Sequence, residues 1–390
     1  MPSDALLLHA RHRGKIEVRS LVPLENRADL SLAYTPGVAE VCRAIVDGRP
    51  VGEVTLKSRT VAVISDGSAV LGLGNIGALA AIPVMEGKCV LFKQIANIDA
   101  FPICLSTQNA DEIVATIRSI APVFGGINLE DIAAPRCFEI ERRLQDLGIP
   151  VFHDDQHGTA IVVLAALLNA SKVTKKDFSS LRIVINGAGA AGTAIARLLM
   201  CADNDQQVCQ PVGEVVVCDS KGIVSRDRAD LDFFKRELAQ LSNPRDVRGS
   251  LAHALQGADV FIGVSKGNLV SKEMIASMNS GPLVFALANP IPEISAMDAR
   301  AAGASLVGTG RSDDVNQINN VLAFPGVFAG ALKSRAPRIT SAMKLSAATA
   351  LASTIPIPSV DRFLPSPLDF AVARTVAAAV EKAAKREFSL

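Results

Sequence analysis

The sequence predicts an α/β fold in two units, the second built on a doubly wound parallel sheet. Three observations predict it. Short β-branched runs recur along the chain: Thr60–Ile64, Leu181–Asn186, Glu214–Cys218, Asp259–Gly263, Leu283–Leu287 and Ser305–Gly308. Apolar helical stretches separate several of them, and strands alternating with helices build parallel sheets with right-handed crossovers. A glycine-rich turn, Gly187-Ala-Gly-Ala-Ala-Gly192, follows one strand directly and opens a helix.

The elements follow in order. The first 50 residues read as loosely structured, broken by Pro23, Pro36 and Pro50. Thr60–Ile64 is a buried strand, followed by the turn Ser65-Asp66-Gly67-Ser68. The glycine-rich segment LGLGNIGALAAIP then opens an apolar stretch, and Lys88–Phe92 reads as a further strand. Pro135–Leu147 is a helix: Cys137, Ile140, Leu144 and Leu147 share one face, and Gly148 supplies the stop. Ile149–Phe152 is a strand. Thr159–Ala170 is apolar nearly all round and reads as a buried helix. After the glycine turn comes a helix over Thr193–Met200. The tail, from about Ile339, is alanine-rich and helical, interrupted by IPIPS and LPSPL.

Composition excludes several functions. The chain has 390 residues and a net charge of +1, from 40 Lys+Arg against 39 Asp+Glu, with no long block of one sign. Nucleic-acid and membrane-surface proteins draw their affinity from clustered cations, so neither partner is expected. The longest apolar run, Ala160–Leu168, is about half the length of a membrane span. The N-terminal stretch lacks a signal-peptide core and cleavage site, and a cytoplasmic protein is expected. Seven cysteines, none spaced CxxC, speak against a disulfide framework and a thiolate zinc site. Most read as small buried hydrophobes.

The motifs carry the chemistry. Gly187, Gly189 and Gly192, with Ala188, Ala190 and Ala191 between them, form a dinucleotide turn. The glycines allow the tight turn and close approach to a pyrophosphate seated on the helix N-terminus. Asp219, after the next strand, stands where an acid bonds the ribose 2′-hydroxyl of NAD. Its distance from the turn exceeds the usual spacing of about 20 residues, and the polar insert 203–213 accounts for the excess. Lys221 could instead meet a 2′-phosphate, so NAD and NADP both stay open. Glu130-Asp131 and Asp154-Asp155 are carboxylate pairs at element boundaries. They suit a hard ion such as Mg²⁺ or Mn²⁺, or serve as helix caps. His153 and His157 are spaced for zinc but lack a third soft ligand. Tyr34, the only tyrosine, precedes a Pro-Gly turn, and Lys88 leads into an apolar run. On their own these two read as packing and as a surface lysine. Asn289-Pro290 falls at the carboxyl edge of the second sheet. Asn316-Gln-Ile-Asn-Asn320 is turn chemistry or polar recognition.

Taken jointly, AYTPGVA, DGSAVLGLGNIGALAAIPVMEGK, GGINLEDI, VFHDDQHGTAIV, INGAGAAG, ANP and GTGRSDDVNQINNVLAFPG resemble the malic enzymes in their short bacterial form. The resemblance runs from residue 33 to 326. It implies residues 1–155 as a malate- and metal-binding α/β domain, and 156–390 as a Rossmann-like NAD(P)-binding domain, with the tail from about 320 packing back on the first. It implies Tyr34 as general acid and Lys88 as general base. Glu130, Asp131 and Asp155 would hold Mg²⁺ or Mn²⁺, Asn289 would face nicotinamide and substrate, and Asn320 the substrate. It further implies a homodimer or higher homo-oligomer with a shared active site, with Lys88 reaching the neighbouring subunit. Larger relatives carry a substrate-binding Arg in the counterpart of Asn97-Ile-Asp99, absent here, and Pro102–Thr107 is unlike the acidic stretch of relatives. The acetyltransferase-like domain of some relatives would not fit in this length. The implied reaction is oxidative decarboxylation of (S)-malate with NAD(P). The alternatives are a metal-assisted dehydrogenase of another 2-hydroxy diacid and a non-catalytic dinucleotide-responsive protein.

Overall fold

The computed structural model describes residues 3–70, 72–203 and 209–389. Leu71 of the LGLGN segment and residues 204–208 of the polar insert lie outside the described residues. Two sheets organise the chain. The first contains β1 (Thr60–Ser65), β2 (Asp99–Cys104), β3 (Gly126–Leu129) and β4 (Val151–His153), all parallel, in the order β2-β1-β3-β4. The second contains β5 (Arg182–Asn186), β6 (Glu214–Asp219), β7 (Gly222–Ile223), β8 (Val260–Gly263), β9 (Leu283–Ala286) and β10 (Leu306–Thr309). Its order is β10-β9-β8-β5-β6-β7, parallel except for β7. That order reverses between β5 and β8, which opens a crevice beyond their carboxyl ends.

The α/β prediction holds, with local corrections. Lys88–Phe92 is not a strand. It belongs to a helix over Gly77–Ala96 that buries Ala81, Met85, Lys88, Cys89 and Phe92. Those positions follow the helical period, but Pro83 and Gly87 inside the helix disguise it. β2 contains Pro102 and escaped the sequence reading; as an edge strand it tolerates the missing donor. The helix predicted from Thr159 begins five residues earlier, at Asp154, and runs to Thr174. It is long and apolar enough to cross a membrane, yet 67% of its apolar window is buried in the protein, which makes it the central helix of the core. The first 50 residues contain helices, Asp4–His12, Arg27–Ala33 and Val38–Val46, none of which buries a residue.

The cysteines also depart from expectation. Cys201 and Cys209 form a disulfide, their Cα atoms 5.8 Å apart. The reason is local: the chain leaves the helix Ala190–Leu199 and folds back, with Val212 N–H donating to the Leu199 carbonyl. Cys89, Cys137 and Cys218 are buried and free, as small hydrophobes, whereas Cys42 is exposed.

The tail packs through glycines and aromatics. Gly326 and Gly330, one turn apart, let the helix Phe324–Lys333 press against Ala371–Phe388; a Cβ on Gly330 would sit 2.5 Å from the Ala377 carbonyl oxygen. Phe324 and Phe328 meet Phe92 edge-on at 4.8 and 5.3 Å between ring centroids. This buried cluster lies under the Lys88 side of helix Gly77–Ala96.

Candidate active site

Parallel pairing of β3 with β4 matches Leu129 to His153, so Glu130-Asp131 and Asp154-Asp155 leave the sheet side by side. The Glu130 N–H donates to the Ile64 carbonyl, which ties the loop to the end of β1. Asp131 turns back in the left-handed region, with φ of 53°, and its N–H donates to Asp155 Oδ2 at 2.8 Å. Glu130, Asp131 and Asp155 thereby place ligand oxygens within 4.8 Å of one another. Burial pushes the Asp131 carboxyl up to about 9, and the charges of Asp155 and Glu130 add to the shift. Glu130 and Asp155 are raised by burial as well.

Lys88 is the buried counter-charge. Its ammonium lies 2.8 Å from Glu130 Oε1 and 2.5 Å from Asp154 Oδ2, at 8% exposure, with the Phe324 ring 4.2 Å away. Burial would lower its pKa, but Asp154 and Glu130 outweigh that and hold the ammonium charged in the ion-free protein. One expectation is corrected here: Lys88 is not a snorkelling surface residue. Its partners Glu130 and Asp154 are on its own chain. Sequence reasoning missed Asp154 as its partner and Asn128, whose amide donates to Glu130 Oε2 at 2.8 Å. The paired acids in FHDDQH were the available signal for Asp154.

The other expected residues divide. Asn320 adjoins the cluster: a Cβ on Gly158 would lie 3.1 Å from Asn320 Cβ. Asn289 stands at the end of β9, where a Cβ on Gly72 would come within 3.0 Å of its carbonyl oxygen, so the glycine loop of the first sheet touches the second. His157 turns away from the carboxylates, bonding Glu141 at 2.9 Å and Lys344 at 3.0 Å. Tyr34 is not gathered in. It is 68% exposed on the N-terminal segment, and its hydroxyl makes no hydrogen bond among the described residues.

Gly187, Ala188, Gly189 and Asp219 line a cleft of ≈ 850 Å³ that also takes in Lys221, Lys235 and Lys266. Gly187, with φ of 131°, packs so closely that a Cβ would lie 2.6 Å from the Val264 carbonyl oxygen. Gly192 lets the helix close onto Gly187. Nothing would meet a Cβ on Gly189, which caps the helix Ala190–Leu199 and opens into the cleft. Ala190 and Ala191 form the first turn of that helix. The turn fits a pyrophosphate, with open space at Gly189 and helix N–H groups behind it. Gly189→Val should therefore leave the fold intact and weaken dinucleotide binding at least about tenfold by occupying that space. Calorimetry on the folded variant checks this; unchanged affinity for NAD and NADP would refute it.

Residues 13–145 match the malic enzyme N-terminal domain family, and residues 156–385 the malic enzyme NAD binding domain family. The chain belongs to the malic enzyme family. It is 53% identical over 386 residues to the bifunctional malic/malolactic enzyme of Bacillus subtilis, covering 98% of this chain and 92% of that protein. It is 50% identical over 377 residues to the NAD-dependent malic enzyme of Geobacillus stearothermophilus, covering 96% of this chain and 77% of that protein. The crystal structure of an NAD-dependent malic enzyme from Thermotoga maritima superposes with a TM-score of 0.92 at 48% identity, covering 97% of this chain and 99% of that one. Among malic enzyme relatives, both NAD-dependent and NADP-dependent ones occur.

Proposed function

We propose that this malic enzyme converts (S)-malate to pyruvate and CO₂ with reduction of NAD(P), and that Lys88, Tyr34 and the Glu130, Asp131 and Asp155 carboxylates carry the chemistry. The observation that carries the assignment is the Lys88 ammonium held between Glu130 and Asp154 inside a buried carboxylate cluster. The three carboxylates fit Mg²⁺ or Mn²⁺: they offer only oxygen, they are desolvated, and one lysine does not balance their charge. When bound, such an ion supplies Lewis acidity at the C2 oxygen of the substrate, first as hydroxyl and then as carbonyl.

The chain's own residues do the rest. Lys88 becomes an available base once the charge of Glu130 is shared with the ion. It takes the C2 hydroxyl proton as hydride leaves C2 for the nicotinamide. The C3–C4 bond then breaks, CO₂ departs, and its electron pair forms the enolate of pyruvate. Lys88 returns its proton to the C2 oxygen to give the enol. Tyr34 protonates C3 while Lys88 recovers the enol proton and passes it back to the phenolate. The Tyr34 proton thus ends on C3, the malate hydroxyl proton replaces it on the phenolate, and charge balances without an external acid. Asn289 and Asn320, whose amides are largely free of partners among the described residues, orient the substrate carboxylates and the nicotinamide amide.

Tyr34 must reach this site, and we assign it to a second copy of the chain. The N-terminal segment supports that reading, because its three helices bury nothing while Leu6, Leu7, Val18, Leu21, Leu24 and Leu32 are exposed. Apolar surface of this extent is the kind a symmetric dimer covers. We also read the tail as completing the first unit, through Phe324 and Phe328 on Phe92. The overall assignment is tested by the absorbance of NAD(P)H formed from malate with and without Mn²⁺. Reduction requiring both is expected. No reduction of either dinucleotide with malate and Mn²⁺ present would overturn it.

A further inference from the structure

We propose that this chain prefers the 2′-phosphorylated dinucleotide, NADP, because Arg228 and Lys235 occupy Asp219 and leave a cationic rim where the ribose 2′-position is read. The inference rests on the malic enzyme reading and sharpens its cofactor.

Asp219 ends β6 at the mouth of the cleft, with its side chain 7% exposed. An acid at this place selects NAD by accepting a hydrogen bond from the 2′-hydroxyl, which requires a free lone pair. A carboxylate offers about four acceptor positions. Here all four are used by the chain itself. Oδ1 accepts from the Lys221 backbone N–H at 3.0 Å and from Arg228 Nη1 at 2.8 Å. Oδ2 accepts from Arg228 Nη2 at 3.1 Å and from Lys235 Nζ at 2.8 Å. The Arg228 fork is bidentate and the more rigid of the two side-chain contacts. A ribose hydroxyl arriving at Asp219 finds no acceptor that is not already taken.

A 2′-phosphate finds donors. Lys221, Lys235 and Lys266 all line the cleft. Lys266 has no carboxylate partner among the described residues, and Lys221 is 66% exposed, held by Asp230 at 2.8 Å. Asp232, the other acid of the cleft wall, accepts from the Lys235 backbone N–H at 2.9 Å as a helix cap. A phosphate carrying about two charges can draw Lys221 and Lys235 toward itself while Arg228 goes on neutralising Asp219. The acid that would repel the phosphate is thus already compensated.

The first test compares binding of 2′,5′-ADP and 5′-ADP to the intact protein by calorimetry. The 2′-phosphorylated probe should bind at least about tenfold more tightly, as expected for added charge-assisted bonds. Equal affinity, or tighter binding of 5′-ADP, would overturn the proposal. This readout does not involve malate, so absent turnover with both dinucleotides would count against the activity alone. The second test combines Arg228→Gln with Lys235→Gln, which frees Asp219; the preference for NADP over NAD should fall at least about tenfold. An unchanged ratio in the folded variant would contradict the assignment. Should that variant not fold, Lys221→Gln at the exposed rim serves instead. It should weaken the 2′-phosphorylated probe alone, and an equal loss for both probes would refute the rim.

Discussion

Replacing Lys88 with alanine is expected to abolish malate oxidation, with a fall in kcat of about 10²–10⁴-fold, as for the loss of a general base. Lys88 has the geometry for that role because its position is fixed twice, by Glu130 and by Asp154, within 2.8 Å. The same substitution strips the counter-charge from two buried carboxylates. Breaking a buried ion pair from one side costs about 3–5 kcal/mol. The fold has an escape, since burial has already raised the pKa of Glu130 and Asp154 and either can take a proton. Circular dichroism should therefore show a folded, less stable variant that still binds dinucleotide. Added small primary amines should restore part of kcat, which a merely structural role would not predict. Turnover near that of the parent in the Lys88→Ala protein would remove Lys88 from the chemistry.

Asp155→Asn is expected to raise the Mn²⁺ concentration needed for half-maximal activity on the order of 10²-fold, since ligand charge sets affinity in all-oxygen sites. Its fold should survive. The Asn amide oxygen can still accept from the Asp131 N–H that Asp155 Oδ2 accepts at 2.8 Å. The ion-free proteins should also differ in pH dependence. Asp131 titrates near about 9 when folded, but near about 4 when unfolded. A carboxyl with a raised folded pKa binds protons more tightly in the native state. Stability is therefore full below the unfolded value and is lost as pH rises from about 4 toward 9. Removing the Asp155 charge should flatten that loss. Thermal melts across this window, with chelator, check the sign. A Mn²⁺ requirement unchanged by Asp155→Asn, or full activity after exhaustive chelation, would rule out this ion site.

Much of this was legible in the sequence, and for physical reasons. The second sheet read clearly because its strands are fully buried and β-branched, as in Glu214–Cys218, and because the glycine turn sits between strand and helix. The carboxylate set was nameable through the motifs GGINLEDI and VFHDDQHGTAIV, since the acids taken alone read equally as helix caps. Lys88 was misplaced on a strand because exposed apolar residues such as Leu79, Ile82 and Val84 blur the buried face of its helix, and Pro83 hides the rest. Asp154 could not be told from a cap, since its role depends on a lysine 66 positions away in the chain. The Cys201–Cys209 bond depended on a return of the chain that no periodicity signals. Asp219 was recognised by its place after a strand, but its occupation by Arg228 and Lys235 is a tertiary fact.

The central claim, that Lys88 of one chain and Tyr34 of another complete one active site, is tested most directly by mixing two inactive proteins. Tyr34→Phe keeps the ring and removes only the proton donor; Lys88→Ala removes the base. After demonstrated subunit exchange, a symmetric dimer with shared sites should recover roughly a quarter of parental activity, since half the dimers are hybrids with one intact site of two. No recovery, with exchange confirmed, would show that the two residues act within one chain or that one of them has no part in the reaction.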